Sequence, residues 1–197
     1  MATTKASFGV IDDVSTDLSA SATSTQIAGA AAAKAYTDAQ ITANAKLYNY
    51  TYADVTAATA ATSVTAIPVD DTVPQSSEGY EWVTHSHTPA SDSNILKIRA
   101  TCHIGETTNT AAYGIQALFK NSDANALAAS MISNVSQLAV DTIVTEYVMT
   151  AGTTSAITFK ARASLDAGTT MTINGFGGAR KFGGVLVSRL EVFEFLP

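Results

Sequence analysis

The sequence predicts a mainly β protein, an antiparallel sandwich or barrel, preceded by an alanine-rich helix. From Ile67 onward the 197-residue chain is written in short runs rich in Val, Ile, Thr, Tyr and Phe, separated by Gly, Asp, Asn and Pro, which is how a series of short strands reads. Several of these runs alternate polar and apolar residues, the period of a half-buried strand. The first third differs: Ser15 to Asn49 is dominated by Ala, Ser, Thr and Gln.

Within that first third, IAGAAAAKAYTDAQITANAK carries the helix propensity of its alanines, and no proline occurs before Pro68, so a helix is expected from about Ser24 to Lys46. Ile27, Lys34, Ile41 and Tyr48 fall seven apart, the spacing of a coiled-coil seam, although the intervening positions are Ala, Thr and Asn. Such a helix is marginal alone and is expected to assemble with its copies or dock elsewhere. Residues 1–50 therefore read as an anchor, 51–66, containing the low-complexity TAATAATSVT, as a linker or a sparse strand, and 67–197 as the β domain. Tyr48, Tyr50 and Tyr52 alternate in LYNYTYADV, which places three rings on one side of an extended segment, suited to interchain packing.

The strands follow in order. In ILKIRATCHI, Leu96, Ile98, Ala100, Cys102 and Ile104 share one face and Lys97, Arg99, Thr101 and His103 the other. Tyr113–Lys120, Leu127–Asn134 and Asp141–Thr150 read as further strands. In AITFKARASL, Ile157, Phe159, Ala161, Ala163 and Leu165 oppose Thr158, Lys160, Arg162 and Ser164. Thr170–Asn174 is a short strand, and turn residues such as Asn121-Ser122-Asp123 and Ala151-Gly152 join these runs.

The last run is apolar on both sides: Leu186, Leu190, Val192 and Leu196 on one, Val185, Val187, Phe193 and Phe195 on the other, interrupted by Arg189 and Glu191. An antiparallel strand of that kind needs cover on both faces, and with few helices available the second cover is expected to be another copy of the chain. Val185, Val187, Phe193 and Phe195, with Ile27, Ile41 and Tyr48, are the expected interface residues. The preceding INGFGGARKFGG invites a phosphate-cradle reading. Lys181, however, is followed by Phe182 and the loop leads into a strand, where the nucleotide motifs need a helix. A hairpin requiring close backbone approach is expected instead.

Composition narrows the function. Charged residues make up 14% of the chain against 46% hydrophobic, far below the roughly 25% charge of ordinary soluble proteins, which points to a surface that is either rich in Thr, Ser and Asn or covered by copies of itself. A net charge of −6 with scattered Lys and Arg argues against nucleic acid as a partner. One cysteine, Cys102, excludes an internal disulfide framework and suits synthesis in a reducing cytoplasm. MATTKASFGVIDDV lacks the apolar core of a signal peptide, and no stretch of about 18 apolar residues is present to span a bilayer.

The chemical motifs are sparse. His85-Ser86-His87 puts two imidazoles on one strand face, and three copies would offer six nitrogens to a transition metal; against this stand two polar residues before a turn. Asp12-Asp13, Asp70-Asp71, Glu78, Glu81 and Asp92 lack calcium-loop spacing. No GxSxG elbow occurs, and Cys102 lies on an apolar strand face. No catalytic residue and no cofactor is expected. Tyr80, Trp82 and Tyr113 are the aromatics that a sugar-binding module would present from loops.

With AAAKAYTDAQITANA near the start and GGARKFGGVLVSRLEVFEF at the end, the chain resembles bacteriophage trimeric fibre and decoration proteins. Its closing strand resembles that of trimeric jelly rolls, including tumour-necrosis-factor-like heads, whose last strand reaches the three-fold interface. The resemblance implies an antiparallel jelly-roll sandwich, a homotrimer, synthesis in the bacterial host cytoplasm and release by lysis. It also implies a place in the virion as a capsid decoration or head fibre anchored through its N-terminal region to other virion proteins, or as a short tail fibre that recognises a host surface glycan.

Overall fold

The computed structural model describes residues 32–34, 47–61, 65–107, 112–135, 139–166 and 170–197. The chain divides into two units between Ala45 and Lys46, and every strand belongs to the second. Of the helix expected over Ser24–Lys46, only Ala32–Lys34 fall among the described residues, where they are helical. Ile27 and Ile41 lie outside them.

The second unit is an antiparallel β structure built on two large sheets. One contains β1 (Leu47–Val55), β2 (Thr59–Ala61), β4 (Ile95–Glu106), β7 (Asp141–Thr150), β9 (Met171–Ile173) and β12 (Ser188–Phe195). The other contains β3 (Tyr80–His87), β5 (Ala112–Lys120), β6 (Ala128–Val135) and β8 (Ile157–Leu165), in the order β3-β8-β5-β6. Residues 95–101 of β4 pair with β12 on one side while 95–104 pair with β7 on the other. Across the first sheet the order is therefore β1-β12-β4-β7, with β9 and β2 continuing the β12 and β1 rows beyond Ile104.

The pairings nest. Among the long strands the first, β1, pairs with the last, β12; β3 pairs with β8, β4 with β7, and β5 with β6. A chain folded on itself as one long hairpin and then wound into two layers gives this order.

The alternation read from the sequence sets what lies between the layers. Leu96, Ile98, Ala100 and Ile104 of β4 and Leu190 and Val192 of β12 pack in one buried cluster with Leu118 of β5 and Phe159, Ala161 and Ala163 of β8. Each large side chain so buried stabilises the fold by roughly 1.5–3 kcal/mol. One polar bridge crosses this layer: the Gln116 amide donates to the Ala100 carbonyl at 3.1 Å and lies 3.0 Å from Thr145 Oγ1.

The outer faces of the two sheets are treated differently. Over β5 the segment 65–79 folds back, and Ile67 packs with Ile115, Ala117 and Phe119 in a second buried cluster. Arg162 fastens that segment by donating to the Glu78 carbonyl at 2.6 Å and the Gly79 carbonyl at 2.7 Å. No described segment covers the outer face of β1-β12-β4 in this way: Tyr50 and Tyr52 stand there exposed.

The glycine-rich stretch forms a small hairpin, β10 (Gly175–Phe176) with β11 (Ala179–Arg180), followed by a 3-10 turn at Phe182–Gly184. Its glycines answer to sterics. A Cβ on Gly175 would stand 2.0 Å from the Ala179 carbonyl oxygen, and one on Gly105 2.4 Å from the Gly175 oxygen. Gly177 and Gly178 take φ of 62° and 73°, which only glycine adopts freely.

Three expectations are corrected. Residues 47–50, assigned above to the anchor, open β1, and of the two readings of 51–61 the strand holds, since β1 and β2 are built into the sheet through β12 and β9. The low-complexity TAATAA run can do this because the pairing strands supply the order. Val185 and Val187 precede β12 rather than belonging to it, and Val185 caps the 3-10 turn at 82% exposure. Leu186 and Leu196 also lie outside the strand. Tyr80 and Trp82 are strand residues of β3, with Trp82 buried in the core, so they are not displayed on loops.

Candidate functional site

The uncovered sheet face is laid out by register. Phe195 lies opposite Leu47 and Ile95; Tyr50 opposite Phe193, which faces Lys97 and then Val148; Tyr52 opposite Glu191, which faces Arg99 and then Glu146; Asp54 opposite Arg189, which faces Thr101 and then Val144. Strand alternation puts all these side chains outward, because the intervening Leu190, Val192, Leu96 and Ile98 are fully buried. Two halves result. One is apolar and aromatic, the other charged.

In the apolar half the rings form a continuous ladder. Tyr50 meets Phe193 with centroids 4.8 Å apart, Tyr50 stacks on Tyr52 at 5.5 Å, and Phe193 on Phe195 at 6.5 Å. Tyr48 follows beside the bulge at Leu47/Asn49, 56% exposed, and Val148 on the far strand is 58% exposed. Tyr50, Tyr52, Phe193 and Phe195 thus share one surface, which Val185 and Val187 adjoin at its other end by lining a cavity there with Arg99 and Arg189.

The charged half is internally paired. Arg189 holds Asp54 in a bidentate pair at 2.5 and 3.0 Å and stacks over the Tyr52 ring. Lys97 lies 3.0 Å from Glu146. Glu191 accepts from the Tyr50 hydroxyl at 2.7 Å. Burial, then this bond and the Glu191 charge, raise the Tyr50 pKa above its usual value. Lys97, Arg99 and Arg189 are matched on this face by Asp54, Glu146 and Glu191, so bringing copies of it together adds no net charge.

His85 and His87 do share one face of β3, and their neighbours are protein groups. Thr51 Oγ1 of β1 sits between them, 2.9 Å from His85 Nε2 and 3.0 Å from His87 Nδ1. His87 Nε2 lies 3.0 Å from Glu194 of β12, with both side chains fully buried. The Glu194 carboxylate also accepts from the Asn94 amide at 2.6 Å and the Ala90 N–H at 2.8 Å. Both nitrogens of His87 are thus engaged inside one chain, which draws the imidazole away from the shared-metal arrangement considered from sequence. Among the described residues no group of three or more His, Cys, Asp or Glu is placed to hold a metal.

This network closes the open side of the sandwich, where edge strands β1 and β3 face one another. Sequence reasoning missed it, although one signal was available: Glu194 has the parity of Leu190 and Val192, which put a carboxylate on the core face. Cys102 is fully buried and its thiol is pushed up to about 12 by that burial, as suits a core residue. Tyr113 is exposed on β5, on the sheet opposite the aromatic ladder. Among the described residues no helix is long and apolar enough to cross a membrane.

No family model matches the chain, and no curated protein matches its sequence.

Proposed function

We propose that this chain is a non-enzymatic structural protein of a bacteriophage virion, a homotrimeric capsid decoration or head-fibre protein that presents a jelly-roll head outward. The observation that carries the reading is the contrast between the two sheets. The outside of β5 is covered by the chain's own 65–79 segment, whereas no described segment covers the outside of β1-β12, where Tyr50 and Tyr52 stand exposed beside the half-buried Phe193 and Phe195. Exposed aromatic groups of this extent mark a surface meant for a partner. A chain with 14% charged residues suits a partner that is another copy of itself.

The nested order of strands across two sheets supports a jelly roll, which is two interlocked Greek keys of eight strands. The last strand, β12, lies centrally in the uncovered sheet, as in the trimeric heads that the sequence resembles. The N-terminal region would attach the trimer to other virion proteins, after synthesis in the host cytoplasm and release by lysis. No cofactor enters this role: the work is adhesion by packed surfaces.

Gold-labelled antibody raised against residues 47–197 and applied to purified virions tests the location. Label on the capsid is the expected result. Label at the tail tip would favour the second reading, a short tail fibre or receptor-binding protein for a host surface glycan. Virions without label would overturn both.

A further inference from the structure

We infer that Thr51, His85 and His87 form an acid-sensitive latch, which holds edge strand β1 against edge strand β3 while His85 is neutral and releases it when His85 takes a proton. β1 and β3 lie in different sheets and share no backbone ladder. Among the described residues the hydrogen bonds that join them pass through one atom, Thr51 Oγ1, which is 2.9 Å from His85 Nε2 and 3.0 Å from His87 Nδ1. A hydroxyl has one proton to give. One imidazole must therefore donate to Thr51 while the other accepts from it.

Glu194 sets the direction. Its carboxylate only accepts, so His87 Nε2, 3.0 Å away, carries a proton. With His87 neutral, its Nδ1 accepts from Thr51, and Thr51 accepts from His85 Nε2–H. With His87 charged against Glu194 the chain reverses: Nδ1–H donates to Thr51, which donates to a bare His85 Nε2. Both arrangements are complete with His85 neutral. A proton on His85 beside a charged His87 leaves none, because two N–H groups then point at Thr51, its own proton has no acceptor in the network, and two cations flank one hydroxyl. A stranded donor and like charges at this range both cost energy in a buried site. Opening β1 from β3 relieves both by admitting water to His85, the half-buried end of the network. Burial, and then the charge of His87, lower the His85 pKa, so the closed form keeps His85 neutral and acid favours the open form. His87 is the charged group that acts on both His85 and Glu194. Register sets the apolar Phe159 and Ile157 of β8 beside the two imidazoles and Leu96 of β4 beside Glu194, while Asn94 and the Ala90 N–H complete the carboxylate. Tyr50 and Tyr52 stand on the other face of β1, so its release also moves the aromatic ladder.

The test is hydrogen–deuterium exchange of the full chain, read by mass spectrometry between about pH 7.5 and 4.5 and corrected for the intrinsic rate at each pH. On acidification residues 47–55 should exchange about tenfold faster than that correction allows, the worth of a hydrogen bond to a charged group, while 157–165 of β8 keep their protection. His85→Gln can bond Thr51 but cannot charge, and should hold 47–55 closed throughout. Thr51→Ser should behave as the native chain, and Thr51→Val should be open already at the upper pH. Loss of protection in 157–165 in step with 47–55, no acid change in 47–55, or an acid change that survives His85→Gln would overturn the proposal. Every group of the latch comes from one chain, so the same acid change is expected in Phe193→Lys, which disrupts the proposed contact between copies. An acid change that vanishes in Phe193→Lys would trace to assembly and likewise overturn the latch.

Discussion

Glu194 and His87, 107 residues apart in sequence, meet at 3.0 Å with both side chains fully buried. Glu194 comes from the central strand β12 and His87 from the edge strand β3, so the pair ties the two sheets together at their open side. Three donors converge on the carboxylate, from His87, Asn94 and the Ala90 amide.

Removing that acceptor strands all three donors. Glu194→Ala should therefore destabilise the β unit by about 3 kcal/mol, since each stranded buried donor costs about 1–3 kcal/mol, whereas Glu191→Ala on the exposed face should cost under about 1 kcal/mol. Urea unfolding followed by circular dichroism measures both. Equal, small losses would mean that the buried network contributes little.

The same network predicts a direction with pH. Burial raises the Glu194 pKa, but the bonds from Asn94, the Ala90 amide and His87, with the charge of His87, outweigh it and leave the pKa below the ordinary 4.5. Its contribution is present above pH 4.5 and is lost as pH falls through the lowered folded value. For His85, burial and then repulsion from His87 hold the pKa below 6.5. The unfolded chain thus binds more protons at this site, and stability declines as pH drops below 6.5 toward the folded value. Both effects have one sign, so the urea midpoint should fall from pH 7 to pH 4. His85→Gln should flatten the upper part of that slope and Glu194→Gln the lower. A midpoint that rises on acidification would contradict the assignment.

Gly175 and Gly177 separate two reasons for glycine. Gly175→Ala would drive a Cβ to 2.0 Å from the Ala179 oxygen, overpacking backbone that cannot yield, at a cost of about 3 kcal/mol. Gly177→Ala meets nothing within 4 Å and is strained only by its φ of 62°, at about 1 kcal/mol. Thermal unfolding of the two variants should rank them in that order; the reverse order would mean that the hairpin does not hold this geometry in solution.

The strands Ile95–Glu106, Asp141–Thr150 and Ile157–Leu165 were legible because each has a more exposed and a buried face: Asp141–Thr150 has the bounds read from the sequence, and Ile157–Leu165 begins one residue later. The outward Tyr48, Tyr50, Tyr52, Phe193 and Phe195 were legible for the same reason. β1 and β2 were legible only in outline, as an extended tyrosine segment and a sparse strand, since Thr51–Ala61 is mostly small residues whose strand state comes from partners more than 100 residues away, Ser188–Phe195 and Met171–Ile173. Register between distant strands also hid the Thr51, His87 and Glu194 meeting. Val185 and Val187 were read into the last strand because the apolar run continues unbroken into Ser188–Phe195, whereas the 3-10 turn at Phe182–Gly184 closes on Val185 and the strand starts at Ser188.

The central claim, that the exposed face of β1-β12-β4-β7 joins three copies, is tested most directly by native mass spectrometry of the full chain and of Phe193→Lys. Phe193 packs on Tyr50 in mid-ladder and faces Lys97 across the sheet, so a lysine there adds like charge and removes an aromatic anchor worth about 2 kcal/mol or more at each contact. The native chain should appear at three times 20.4 kDa, and Phe193→Lys as a monomer with an unchanged circular dichroism spectrum. A native chain that stays at 20.4 kDa, or a trimer indifferent to Phe193→Lys, would contradict the claim.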